Sequence, residues 1–232
     1  SFNSMHIDFR GVSVQFDVIP ALSNITAVLP DGQTTLLVGP TGAGKTTLLR
    51  LLYADIFPHT GSVFLNGQNT AIMKPHQKRT FLQKTGIVFQ DCKLLPHSTV
   101  YENVLYPLII NDLPKNEIDH KCLEILLDTG ISHLRDKFPH QLSGGEKHLV
   151  ALSRAIIHKP EFLIADEPTG NLDPETTIAV ANIIQGQISK GVTVIISTHS
   201  SELIACFPKA TRLEMSEGKI TKVIPPITKT IS

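Results

Sequence analysis

The chain has 232 residues, 41% of them hydrophobic, and its 21 Lys+Arg are balanced by 21 Asp+Glu. That length suits one domain with a large core, or one domain carrying an inserted subdomain. A zero net charge speaks against a nucleic-acid partner, which calls for a basic excess, and no apolar run approaches the ~18 residues of a membrane span. Ser1–Ser4 precede Met5 and read as a remnant added ahead of a natural start. Met5–Phe16 alternates in places (Ile7, Phe9; Val12, Val14, Phe16) and predicts an edge strand or hairpin. Ala21–Leu29 predicts a further strand, closed by the turn Pro30-Asp31-Gly32. Thr34–Val38 is a short β-branched and apolar run, expected as a buried parallel strand.

Gly39-Pro40-Thr41-Gly42-Ala43-Gly44-Lys45-Thr46-Thr47 comes next and matches the phosphate-loop pattern G-x-x-x-x-G-K-[ST]. Leucine-rich residues run on to Tyr53 without a breaker and predict a helix. Strand, glycine loop and helix is the arrangement such a loop needs. Backbone N–H groups then point at phosphate oxygens, and the helix N-terminus adds partial positive charge. That helix end contributes about 0.3–2 kcal/mol, whereas micromolar nucleotide binding needs roughly 8 kcal/mol. Lys45 on the β- and γ-phosphates, Thr46 on Mg²⁺ and further residues must supply the rest.

Ser62–Leu65 predicts a strand, with Asn66-Gly67 a hairpin turn into a short return strand. Lys74–Lys84 carries Lys74, Lys78, Arg79 and Lys84, read as a solvated helix face. Thr85–Phe89 is another apolar strand, ending at Gln90. From about Asp91 to Pro160 the pattern turns helical. Ile118, Cys122, Ile125 and Leu126 fall on one face between Pro114 and Gly130, and a second helix is expected over 144–158. Strand and helix then alternate: Phe162–Ala165, Pro174–Ser189, a turn at Gly191, Val192–Ser197, and two last strands about Glu217-Gly218. The tail from Pro225 to Ser232 is expected to fray. Cys92, Cys122 and Cys206 share no metal-ligand spacing and suit free thiols in a reducing compartment. The fold class expected is α/β: a P-loop NTPase core with a parallel sheet, N-terminal antiparallel β strands and an inserted α-helical subdomain. Residues 5–224 make one domain, with 5–90 and 160–224 the core and 91–159 the helical subdomain.

Two further stretches carry chemistry. Phe162–Ala165 runs straight into Asp166-Glu167, so a buried strand delivers Asp166 beside the phosphate loop, where it can hold Mg²⁺ directly or through water. Glu167, one residue on, is expected on the strand's other side, where it can polarise an attacking water. Leu142-Ser143-Gly144-Gly145-Glu146 opens a helix, with Ser143 as cap and two glycines that let a phosphate approach the backbone.

Taken together, these motifs resemble the nucleotide-binding subunit of ATP-binding-cassette (ABC) proteins over roughly residues 5–224. The resemblance implies that the pentapeptide contacts ATP held by a second subunit. It implies that Gln90 touches Mg²⁺ and water and links to a membrane partner, and that Asp173 meets the opposite phosphate loop. It places His199 on the γ-phosphate and Phe16 as the aromatic that stacks on adenine. Within the family the likeness runs to the cell-division ATPases, through Gln90-Asp91, Thr99–Val104, Tyr106–Ile110 and Asp166–Asp173. Lipoprotein-release and macrolide-efflux ATPases share most of these stretches. One departure is Lys147-His148-Leu149 after the pentapeptide, where relatives carry Gln-Gln-Arg or similar.

One chain has one phosphate loop and one pentapeptide, so the expected unit is a head-to-tail homodimer with two equivalent ATP sites. Glu167, His199 and Lys45 are the expected catalytic residues, with ATP and Mg²⁺ bound. A membrane protein is expected to dock near Gln90–Pro96, which would hold the chain peripherally on the cytoplasmic face of the inner membrane. A soluble ABC protein acting on DNA or ribosomes is the rival of another class. It calls for fused cassettes or a long coiled coil, and the sequence has neither.

Overall fold

The structure, a computed structural model, describes residues 6–111 and 113–226. Residues 1–4, expected to be a remnant, and the tail beyond Pro226 lie outside the described residues. Two sheets organise the chain. Strands β1 (Ile7–Phe16), β2 (Ile19–Leu29), β4 (Thr60–Leu65) and β5 (Gln68–Asn69) form an antiparallel sheet in the order β2-β1-β4-β5. The second sheet has the order β10-β9-β3-β8-β7-β6, built from β3 (Thr34–Val38), β6 (Thr85–Val88), β7 (Phe162–Asp166), β8 (Thr193–Thr198), β9 (Thr211–Ser216) and β10 (Lys219–Ile224). It is parallel from β9 to β6, and only β10 runs antiparallel.

A parallel sheet covered on both faces needs continuous apolar strands whose successive side chains serve different layers. Phe162 and Ile164 of β7, Leu37 of β3 and Ile195 of β8 pack toward helix α1 (Lys45–Leu52) and the antiparallel sheet. Their neighbours Leu163, Ala165, Leu36, Val194 and Ile196 pack toward α5 (Gly144–Ile156), α6 (Pro174–Ser189) and α7 (Ser201–Ala205). Full burial of a side chain the size of Phe162 is worth about 1.5–3 kcal/mol.

A third core joins α3 (Val100–Ile110), α4 (Lys115–Asp128) and α5, with Ile118, Cys122 and Leu126 of α4 facing inward. Helix α3 falls within the stretch that the sequence reads as helical, which set no bounds for it, and Pro107 lies inside it. Its start was nonetheless written there: Thr99 accepts from the Glu102 N–H, and the Glu102 carboxylate accepts from the Thr99 N–H. Helix α2 (Pro75–Gln83) is solvated along most of its length and buries Phe81. Helix α7, five residues long, went unread.

Candidate functional site

The glycine loop leaves the carboxyl end of β3 and turns into α1. Gly44 caps that helix at φ 99°, a left-handed conformation that glycine adopts at low cost. The loop closes on itself, with the Ala43 N–H donating to the Pro40 carbonyl at 3.1 Å. It also rests on a distant hairpin. The Gly218 N–H donates to the Ala43 carbonyl at 3.1 Å, and the Gly218 carbonyl accepts from the Ser23 N–H at 2.8 Å. A Cβ on Gly218 would lie 2.6 Å from the Ala21 carbonyl oxygen. The Glu217-Gly218 turn, legible in the sequence as a turn alone, is therefore a support of the phosphate loop.

Lys45 is 5% exposed. Its ammonium donates to the Gly39 and Pro40 carbonyls at 2.6 and 3.1 Å and lies 3.3 Å from Glu167 Oε1. Thr46, the next residue, donates through Oγ1 to Asp166 Oδ1 at 3.2 Å. The Ser197 hydroxyl donates to that same carboxylate oxygen at 2.5 Å. The Glu167 N–H donates to Ser197, reaching its carbonyl at 3.1 Å and its hydroxyl at 3.0 Å. Ser197 thus holds both members of the acidic pair from the neighbouring strand β8. No sequence motif marked it for that position; only the pairing Asp166↔Ser197 brings it there.

Glu167 departs from expectation. Strict strand alternation would send its side chain to the opposite face, but the strand ends at Asp166 and Glu167 takes φ 45°. The backbone turn brings its carboxylate round to Lys45, and His199 Nδ1 lies 2.9 Å from the same oxygen, Glu167 Oε1. Lys45, Thr46, Asp166, Glu167, Ser197 and His199 form one connected group.

The second group gathers at the starts of α5 and α6. The Ser143 hydroxyl accepts from the Glu146 N–H at 3.2 Å, and the Glu146 carboxylate accepts from the Ser143 N–H at 2.8 Å, a reciprocal cap. Beyond Gly144 is open space, whereas Gly145 faces Thr176. Thr176 donates to Asp173 through both its hydroxyl, at 2.6 Å, and its N–H, at 2.9 Å. The hydroxyl first, and then the N–H, hold the Asp173 carboxyl below the usual carboxylate range. Asp173 and Ser143–Gly145 therefore share one surface through Thr176.

Gln90 is exposed in the turn after β6. Val88 of that strand pairs with Ala165, so Gln90 emerges at the same end of the sheet as Asp166 and Glu167. Phe16 stands apart, at the end of β1, with the Arg50 guanidinium 5.8 Å from its ring centroid. It is 44% exposed, which leaves a face for stacking.

This donor set fits a nucleoside triphosphate and a hard cation. The Thr46 hydroxyl and Asp166 carboxylate are adjacent oxygen donors of the kind Mg²⁺ takes while keeping waters and phosphate oxygens in its shell. Among the described residues no cluster of three His, Cys, Asp or Glu could cage a metal by itself.

A central parallel strand ending in a glycine loop and lysine, beside carboxylates on a nearby strand, defines a P-loop nucleotide hydrolase. The ABC transporter family model matches residues 22–170, and the chain belongs to that family as an ATP-hydrolysing, ATP-binding subunit. It is 37% identical over 199 residues to the cell division ATP-binding protein FtsE of Streptococcus pneumoniae serotype 2, covering 85% of this chain and 86% of that one. It is 36% identical over 203 residues to the methionine import ATP-binding protein MetN 1 of Listeria monocytogenes, covering 85% of this chain and 60% of that one. Among solved structures, the dimeric structure of MJ0796, a bacterial ABC transporter cassette, matches with a TM-score of 0.89 at 26% identity, covering 96% of this chain and 99% of that one. The dimeric post-hydrolysis state of that cassette, bound to ADP and Pi, matches with a TM-score of 0.87 at 25% identity.

Proposed function

We propose that this chain is the ATPase of an FtsEX-type cell-division complex, forming a head-to-tail dimer on Mg-ATP and driving an FtsX-like membrane permease that controls cell-wall hydrolysis. The observation that carries the dimer is the division of candidate residues into two groups. Lys45 and His199 meet at the carboxylate of Glu167, a residue that Ser197 ties to Asp166, while Ser143–Gly145 and Asp173 share a separate surface with open space beyond Gly144. Each group is half a site that the other group of a second copy completes, and the dimeric solved relatives support that reading.

In the closed dimer Lys45 exchanges the Gly39 and Pro40 carbonyls for β- and γ-phosphate oxygens. Thr46, Asp166 and Gln90 would hold Mg²⁺, which when bound would supply positive charge against that developing on the phosphates. Glu167 polarises the water that attacks the γ-phosphorus, and His199 holds the γ-phosphate while orienting Glu167. Phe16 stacks on the adenine. Residues 5–224 act as one unit, with 91–159 moving as the helical part. The test of the dimer is gel filtration of Glu167→Gln with ATP. A dimer that disappears when Ser143→Arg is added is expected; a monomer, or a dimer indifferent to Ser143, would overturn it.

Toward the membrane, Leu95 rather than Leu94 is the presented side chain. Leu95 is 37% exposed, whereas Leu94 packs against two of the cores. On this reading the chain sits peripherally on the cytoplasmic face of the membrane; none of its described helices is long and apolar enough to cross it. Leu95→Asp is expected to abolish co-purification with the permease while sparing ATP-dependent dimerisation. The MetN match supports a second reading, in which the driven permease imports a solute. Deleting the gene separates the two: a division defect at normal uptake fits the first, and lost uptake with normal division fits the second.

A further inference from the structure

The turn that follows β6 carries two strained residues in succession. Cys92 and Lys93 stand at φ 59° and 41°, a left-handed region that residues other than glycine keep only when their surroundings hold them there. Two backbone bonds close the turn around Gln90. The Cys92 N–H donates to the Phe89 carbonyl at 2.9 Å, and the Lys93 N–H donates to the Asp91 carbonyl at 2.7 Å. Gln90 lies between those two acceptors, so its position follows from the shape of the turn.

What holds that shape comes from another element. Arg154 of α5 donates through Nη2 to the Cys92 carbonyl at 2.6 Å and through Nη1 to the Lys93 carbonyl at 2.8 Å. One planar guanidinium thus spans two successive carbonyls and fixes the orientation of both peptide units. Arg154 is partly buried, and among the described residues no carboxylate oxygen lies within 4.0 Å of its guanidinium. A cation shielded from water without a carboxylate is costly, and an apolar side chain would fill the space at lower cost. The fork therefore has a use beyond packing. Its base is firm, since α5 is a capped helix packed into two of the cores.

We infer that Arg154 is a positioning residue for Gln90: by gripping the Cys92 and Lys93 carbonyls it keeps the turn left-handed and sets where Gln90 stands at the carboxyl end of the sheet. The inference rests on the metal role proposed above for Gln90 and adds the residue that fixes it in place. Arg154 itself touches neither nucleotide nor metal on this account. Lysine cannot replace it, because a single ammonium has no planar fork.

The test reads the turn through its own thiol. Cys92 is 4% exposed within the turn, and Cys122, 0% exposed in the helical core, is the control. In the folded full chain, Arg154→Lys is expected to speed iodoacetamide labelling of Cys92 about ten-fold or more while the Cys122 rate holds. The Mg²⁺ concentration for half-maximal ATP turnover should rise about ten-fold in Arg154→Lys and in Gln90→Ala alike, the usual cost of losing support for a metal ligand. Combining the two should raise it no further. Lys93→Pro tests the turn without touching α5, because proline is locked near φ of about −65°, and it should reproduce both effects. It decides by itself if Arg154→Lys does not fold.

Continued protection of Cys92 in these variants overturns the inference. Labelling of Cys92 and Cys122 together overturns it too, reducing Arg154 to a support of the whole fold. Selective labelling of Cys92 with an unshifted Mg²⁺ requirement, or with shifts that add in the combined variant, overturns the positioning role and leaves the metal role of Gln90 standing. A parental Mg²⁺ requirement in Gln90→Ala removes that metal role and the inference with it.

Discussion

The Lys45 ammonium lies 3.3 Å from the Glu167 carboxylate, with both side chains more than nine-tenths buried. A buried pair of this kind depends on both partners, because removing either leaves the other's charge without compensation. Lys45 has two backbone carbonyls besides Glu167, whereas the other ion-pair partner of Glu167 is the half-exposed His199. The two substitutions should therefore behave differently.

Glu167→Gln keeps the shape and a hydrogen-bonding oxygen for Lys45 but removes the base. Phosphate release should fall about 10²–10⁴-fold, the usual share of a general base. ATP affinity by calorimetry should hold, and turnover within a few-fold of the parent chain would dismiss Glu167 as the base.

Lys45→Ala takes the phosphate ligand away and leaves the Glu167 carboxylate buried. We expect ATP binding to become undetectable by calorimetry, and the urea midpoint to drop further than in Glu167→Gln. A larger drop in Glu167→Gln would show that the pair is held from the other side.

Gly218→Val combines a positive φ of 74° with a side chain directed at the Ala21 carbonyl. A strained backbone position costs about 1–3 kcal/mol. Because Gly218 supports Ala43, weakened ATP binding is expected beyond the loss of stability. Unaltered affinity in the folded fraction would limit the hairpin to a structural role.

Asn103 is fully buried, and its side chain organises the segment that presents Leu95. Its carbonyl accepts from the Leu95 N–H at 2.7 Å, and its amide donates to the carbonyls of Leu95, Ser98 and Thr99 at 3.0–3.1 Å. Asn103→Leu should destabilise by about 1–3 kcal/mol for each buried group left unpaired. Co-purification with the proposed permease should weaken while ATP turnover of the isolated chain persists.

Burial raises the Cys92 thiol from 9.0 to about 11 and the Cys122 thiol from 9.0 to about 12. Their protonated form favours the folded state, so this contribution is complete below pH 9 and is lost as the pH rises toward 11 to 12. At pH 8 both thiols should resist iodoacetamide until urea unfolds the chain. Rapid labelling in the folded state would count against their burial.

Much of the site was legible as chemistry in contiguous stretches. A glycine loop followed by Lys45 and Thr46, an apolar strand ending in Asp166, and Ser143 before two glycines each need only neighbouring residues to be read. The α/β fold was legible for a similar reason, since runs such as Phe162–Ala165 carry the pattern of a strand buried on both faces. The bounds of helix α3 were not legible within its helical stretch, where Pro107 lacks the N–H of a regular turn and packing against α4 and α5 sustains the helix. Tertiary structure alone decided the rest. It turned Glu167 back toward Lys45 by ending the strand one residue earlier, seated Ser197 beneath both acids through strand pairing, and set Gly218 under the phosphate loop from 175 positions away (218 − 43). Local chemistry is carried by residue types at short spacing, so a sequence can state it. Contacts between distant segments arise only when burial and hydrogen bonding select one register among many, and no short stretch records that choice.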